Sequence, residues 1–206
     1  MKETTQQIFT ELYERYPALV SCRGEIAKAF DILLTCFRSG GKVLVCGNGG
    51  SASDAEHIVG ELLKKFRKHR EVDAAVAAKL PPELVGRLEG SLPAVSLVSM
   101  SGILTAFAND VAWETAFAQQ VLGLGRPGDV LVALSTSGNS TNCVNAATVA
   151  RAKGLKVISL TGRGGGRLGA CADAAVAVPE TETFKVQELH LPVYHALCAA
   201  VEEELF

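Results

Sequence analysis

The chain has 206 residues, 48% of them hydrophobic, and a formal net charge of −2. That length and composition suit a single domain with a sizeable core and exclude a disordered chain. The near-neutral balance, with no basic block beyond Lys64 to Arg70, argues against a nucleic-acid-binding face, and no apolar run nears the roughly 20 residues of a membrane span.

Residues 3–38 read as one or two long amphipathic helices, broken near Pro17, and the first of them lacks the apolar centre of a signal peptide. An apolar run at Val43–Cys46 then drives into a glycine-rich turn, Gly47-Asn48-Gly49-Gly50-Ser51. A helical pattern follows and places His57 and Glu61 four residues apart on one face. A strand, a turn of small residues and a helix N-terminus together form an anion site, because backbone N–H groups can approach a phosphate there. The histidine and carboxylate one turn farther on can bind a metal or move protons.

The segment from Arg67 to Leu92, with Pro81-Pro82 and the charged, amphipathic PELVGRLEG, reads as an insertion before the second strand, helical at the surface, a length variation in preference to a substrate lid or an oligomer contact. Apolar runs recur at Ala94–Val98, Val130–Leu134, Val157–Leu160 and Ala174–Val178, with a helical pattern over Asn139–Lys153 and another from Phe184 to Phe206. Near-continuous Val, Leu and Ile runs alternating with helices predict strands buried on both faces. The expected fold class is therefore α/β: a three-layer sandwich of a five-stranded parallel sheet between helices, behind a long N-terminal helix.

After the third run comes Ser135-Thr136-Ser137-Gly138-Asn139-Ser140-Thr141. Hydroxyls at this density, at the C-terminal end of a strand and the start of a helix, suit a phosphomonoester held in a neutral cradle; Asn139 or Ser140 is the natural N-cap. The Thr161–Arg167 run, with two arginines among glycines, reads as a flexible turn. The six cysteines are scattered without a CxxC pair and read as reduced thiols of a cytoplasmic protein.

GNGGSASDAEH, the FAND of Phe107–Asp110, LSTSGNS and VISLTGRGGG, taken in order, resemble the sugar isomerase (SIS) family, and within it the phosphoheptose isomerases. The closing Val186-Gln187-Glu188-Leu189-His190 and His195 extend the likeness to most of the chain, except across the Arg67–Leu92 insertion. The resemblance implies one SIS domain over residues 1–206, a homotetramer with sites at subunit interfaces, and a zinc ion. It carries metal and catalytic roles to His57, Glu61, Gln187 and His195, with Glu61 and His195 as the proton-moving pair. Ser135, Thr136, Ser137 and Ser140 match its phosphate cradle, and Asn48, Gly49, Gly50, Ser51, Asp110 and Gln187 its sugar-contacting positions. The implied reaction is aldose–ketose isomerisation of sedoheptulose 7-phosphate through a cis-enediol. Phe184 stands where the family tends to carry an acidic sugar contact.

Two points stay open at this level. Gln187 and His195 are eight residues apart, about 12 Å along one helix, so they share a site only if Gln187 precedes the helix or if they serve different subunits. His190, three residues from Gln187, competes with His195. The other functional classes are a non-catalytic phosphosugar sensor or replication-initiator adaptor on the same fold, and an isomerase of a different ketose phosphate.

Overall fold

The computed structural model describes residues 1–206. Helix α1 (Glu3–Arg15) ends before Pro17, a 3₁₀ turn covers Pro17–Cys22, and α2 (Arg23–Arg38) follows. Proline opens the 3₁₀ turn because its missing N–H costs nothing there. Five strands come next: β1 (Val43–Cys46), β2 (Ala94–Ser96), β3 (Val130–Ser135), β4 (Lys156–Thr161) and β5 (Ala174–Ala177). All pair in parallel, in the order β2-β1-β3-β4-β5. Strands β1 and β3 are buried throughout, whereas the edge strands β2 and β5 leave alternate residues half-exposed.

Between the strands lie α3 (Gly50–Leu63), the short α4 (Ala74–Ala77) and α5 (Pro82–Val85), α6 (Ser101–Asp110), α7 (Ala116–Leu124), α8 (Thr141–Ala152) and α9 (Gly166–Cys171), and α10 (Thr183–Leu205) closes the chain. The two-residue period of each strand divides the core. Val43, Val45, Val130, Val132 and Leu134 pack toward α2, α3 and α10, while Leu44, Cys46, Leu131 and Ala133 pack toward α7 and α8. The result is the three-layer parallel α/β sandwich expected from the sequence.

Strand order reverses between β1 and β3, so their C-terminal ends open a crevice of the kind where open α/β sheets bind ligands. The glycine-rich turn leaves β1 and the Ser/Thr turn leaves β3, on either side of that crevice.

The excursion between α3 and β2 is closed at its neck. Gly90 N–H donates to the Arg70 carbonyl (2.8 Å) and Leu92 N–H to the Leu62 carbonyl (3.0 Å), while Glu89 pairs with Lys65 (3.0 Å). Arg70, in the sequence's one basic block, is fully buried rather than solvated. Its Nε lies 2.7 Å from Glu202 of α10, and its remaining nitrogens donate to the carbonyls of Leu62 (2.6 Å) and Glu61 (3.0 Å). The Glu202 carboxylate also accepts from the backbone N–H groups of Phe66, Arg67 and Lys68 (2.8, 2.7 and 3.0 Å). Those bonds hold Glu202 below the usual carboxylate range against the opposing effect of its burial.

Removing one partner of a buried ion pair strands the other charge. Glu202→Leu is therefore expected to lower the unfolding free energy by about 3–5 kcal/mol in denaturant titrations at fixed protein concentration. A loss below about 1 kcal/mol, the scale of an exposed pair, would mean that water reaches Arg70 and the clamp is not tight.

Candidate active site

Helices α3 and α10 lie side by side and run in the same direction. At their N-terminal ends the Gln187 amide packs on Gly50, where a Cβ would fall 2.6 Å from its Nε2 and displace it. One and two turns on, Tyr194 reaches Asp54 and His57, and His195 faces His57. At the far end Glu202 caps the turn that leaves α3.

Three side chains gather midway along this pair. His57 Nε2 lies 3.3 Å from Glu61 Oε1 and 3.4 Å from His195 Nε2, and Lys64 holds the other Glu61 oxygen at 2.9 Å. The two imidazoles meet edge to face with centroids 4.9 Å apart, and Phe66 covers His195 at 5.4 Å. The Glu61 side chain is 12% exposed and that of His57 43%, so the carboxylate is sheltered while the imidazole opens to the cleft. Burial and then the neighbouring His57 push the His195 pKa below its ordinary 6.5, with Glu61 opposing. His195 is thus largely neutral at pH 7 and can accept a proton as well as give one.

The sequence leaves open whether Gln187 precedes the final helix. It lies inside α10, beside the glycine turn and two turns from His195. Within one subunit it joins the glycine-rich turn, not the His57 cluster. Zinc ligand distances of about 2.0–2.1 Å imply donor–donor edges of roughly 3.4 Å in a tetrahedral site, which the His57–Glu61 and His57–His195 pairs match. Two edges do not make a centre, however: no group of three or more His, Cys, Asp or Glu side chains converges tightly enough to hold a metal ion.

At the end of β3, Ser135 Oγ and Ser140 Oγ are 2.9 Å apart, and the Asn139 N–H reaches Ser137 Oγ at 3.2 Å. Ser140 holds the N-cap position of α8, yet its hydroxyl bonds Ser135 instead of capping the helix. In the first turn of α8 the N–H of Cys143 donates to Asn142 Oδ1 instead (2.9 Å). Thr136 and Ser137 complete the turn, half-buried and exposed respectively. Gly138 (φ +67°) packs so closely on the next loop that a Cβ would lie 2.0 Å from the Gly165 carbonyl oxygen. The Thr161–Arg167 run is therefore a fitted support for the Ser/Thr turn, with Leu168 N–H bonded to the Gly138 carbonyl (2.9 Å) and Arg167 to that of Asn139 (3.0 Å).

Across the crevice, Asn48 and Asn142 exchange amide hydrogen bonds of 2.9 and 2.8 Å. Asn48 therefore buttresses the two turns, and a sugar contact would draw on what hydrogen-bonding capacity it has left. Ser51 is buried, Gly49 exposed, and Asp110 sits exposed at the end of α6, bonded to Asn109 (2.8 Å). The widest cleft, about 520 Å³, runs between α1 and the end of α10 and holds none of these side chains. A second, about 360 Å³, is bordered by His195 and Phe66. The convergent polar groups locate the site better than the widest hollow does. Asp54 and Tyr194 escaped the sequence reading, although Asp54 stands one helical turn before His57 and Tyr194 beside His195.

The chain matches the SIS domain over residues 11–91 and 74–162. It is 42% identical to the phosphoheptose isomerase of Rhodospirillum rubrum over 91% of this chain and 89% of that one. Identity with the phosphoheptose isomerase of Akkermansia muciniphila is 37%, over 100% and 99% of the two chains. In three dimensions it is similar to the phosphoheptose isomerase of Neisseria gonorrhoeae, with a TM-score of 0.76, 34% identity and 98% of each chain covered.

His190 points away from this cluster. It is fully buried and neither ring nitrogen finds a side-chain or backbone partner within hydrogen-bonding geometry. Burial lowers its pKa from 6.5 to about 4, with only the nearby Thr161 backbone favouring the charged form. An unfolded chain takes up this proton as the pH falls through 6.5, whereas the native state does not until about 4. The stability it supports is complete above pH 6.5 and drains away between those values, by about 3 kcal/mol in all. His190→Leu is expected to shrink the loss of unfolding free energy between pH 7 and pH 4 by that order; an unchanged pH dependence would refute the buried neutral imidazole.

Proposed function

We propose a reaction from one premise: this chain belongs to the SIS domain family, among its phosphoheptose isomerases. It is an aldose–ketose isomerase that converts sedoheptulose 7-phosphate to D-glycero-D-manno-heptose 7-phosphate. The observation that carries the chemistry is the meeting of Glu61, His57 and His195 within 3.4 Å contacts, on the helix that leaves the glycine-rich turn.

The phosphate sits on Ser135, Thr136, Ser137 and Ser140, where hydroxyls and the α8 N-terminus balance its charge without a cation. The sugar chain then runs past Asn48–Ser51 and Gln187 toward the histidines. Glu61 takes a proton from C1, and the C–H electron pair becomes the C1–C2 double bond as the carbonyl oxygen takes a proton from His195. The cis-enediol that results returns its O1 proton to His195, C1 becomes the aldehyde, and Glu61 delivers its proton to C2. No atom is gained or lost, and both groups end as they began.

Zinc belongs to the proposal through donor chemistry: the His57 and His195 imidazoles and the Glu61 carboxylate suit its nitrogen and oxygen preference, while Gln187 of the same chain lies apart from them against Gly50. When bound the ion would polarise the substrate carbonyl as a Lewis acid. A homotetramer is supported by the separation of Gln187 from His195 within one subunit and by exposed Val111, Trp113 and Leu122. A cytoplasmic location is supported by six cysteines that are all free.

Purified protein incubated with sedoheptulose 7-phosphate is expected to yield the aldose phosphate. Glu61→Gln should cut kcat by about 10²–10⁴-fold, and Ser137→Ala should raise KM with little change in kcat. Full turnover by Glu61→Gln would remove the base from the scheme. If wild type shows no turnover with or without chelator, yet the sugar phosphate protects it against thermal unfolding, the chain is a sensor.

A further inference from the structure

Tyr194 is 2% exposed. Its hydroxyl oxygen lies 3.1 Å from Asp54 Oδ1 and 3.0 Å from His57 Nδ1, while the tyrosine ring meets both His57 and His195 edge to face. The second Asp54 oxygen is buried and has no partner, so the carboxylate's hydrogen bonding within the chain rests on Tyr194.

A phenol has one proton to give, and an ionised carboxylate can only accept. The Tyr194 proton therefore points to Asp54, which leaves its oxygen as an acceptor toward His57. His57 Nδ1 must then carry the hydrogen of the neutral imidazole, and the lone pair falls on Nε2. That nitrogen is the one facing Glu61 Oε1 and His195 Nε2. Fixing a histidine's tautomer through the bond its other nitrogen makes is a general way to aim its reactive lone pair.

We propose that Asp54 and Tyr194 are positioning residues that lock neutral His57 as the Nδ1–H tautomer and aim its Nε2 lone pair at Glu61 and His195. The locking is a property of the chain alone, and its catalytic value rests on the isomerase reading above.

The test reads the tautomer directly. Full-length protein with ¹⁵N-labelled histidine is recorded near pH 8.5, well above the ordinary histidine pKa of about 6.5, both as isolated and after chelator treatment. Wild-type His57 is expected to show Nδ1–H in both. In the chelated protein Tyr194→Phe should release the lock and populate Nε2–H. Asp54→Ala frees the phenol to donate to His57, and should invert the tautomer to Nε2–H altogether. Both variants should lose kcat by about 10- to 100-fold with KM unchanged. Nε2–H in wild type, or Nδ1–H retained in Asp54→Ala, would overturn the proposal; so would a fall in kcat without any tautomer change, because that is what loosened packing alone would produce. Turnover by wild type is scored separately, so a failed isomerase assay and a failed lock are told apart.

Discussion

The register of α10 against α3 is the constraint on which the site depends. Gln187, His195 and Glu202 meet Gly50, His57 and the turn after Leu63 in order along two parallel helices. Apolar packing alone specifies such a register weakly, because a hydrophobic face can slide by a helical turn at modest cost. The Arg70–Glu202 pair makes sliding expensive. It ties the end of α10 to the carbonyls of Glu61 and Leu62, so Glu61 is held through its own backbone. A misplacement of 1 Å in a proton-transfer geometry is costly in rate, which gives a buried charge pair a value beyond its marginal worth for stability.

The opposite wall of the crevice is fixed by different means. There the holding contacts are uncharged: an amide pair across the β1–β3 boundary, and two loops whose backbones touch through glycine. A rigid neutral frame of this kind suits the phosphate of the proposed substrate, whose charge hydroxyls and helix N–H groups would meet without a fixed cation. One side of the site is clamped by charge, the other by neutral contacts.

The fold was largely legible in the sequence because buried parallel strands write themselves as unbroken apolar runs, and each of the five predicted runs became a strand. Ala94–Val98 lost its last two residues because Leu97 and Val98 turn away to start the next connection. Much of the site was legible too, since glycine and hydroxyl turns at strand ends carry their own chemistry. Arg70 was not. A basic residue among Lys68 and His69 looks solvated, and its partner is 132 residues away. Asp54 and Tyr194 were missed for a related reason: neither belongs to a motif, and their meaning appears only when α10 is laid on α3. Ser140 shows the converse, where a strong local preference for capping yielded to a hydrogen bond with Ser135.

The neck of the excursion after α3 has an implication for how such an enzyme can change. Because Arg70 and Gly90, like Leu62 and Leu92, are hydrogen-bonded across its base, residues 71–89 begin and end at almost the same point in space. Loop-closure entropy grows only slowly with length, and nothing in the catalytic cluster leans on α4 or α5. The segment is a port at which chain can be lost, lengthened or exchanged while Glu61, a few residues upstream, feels no displacement. It offers evolution, or a protein engineer, a place to add a new surface to an old reaction without retuning the active site.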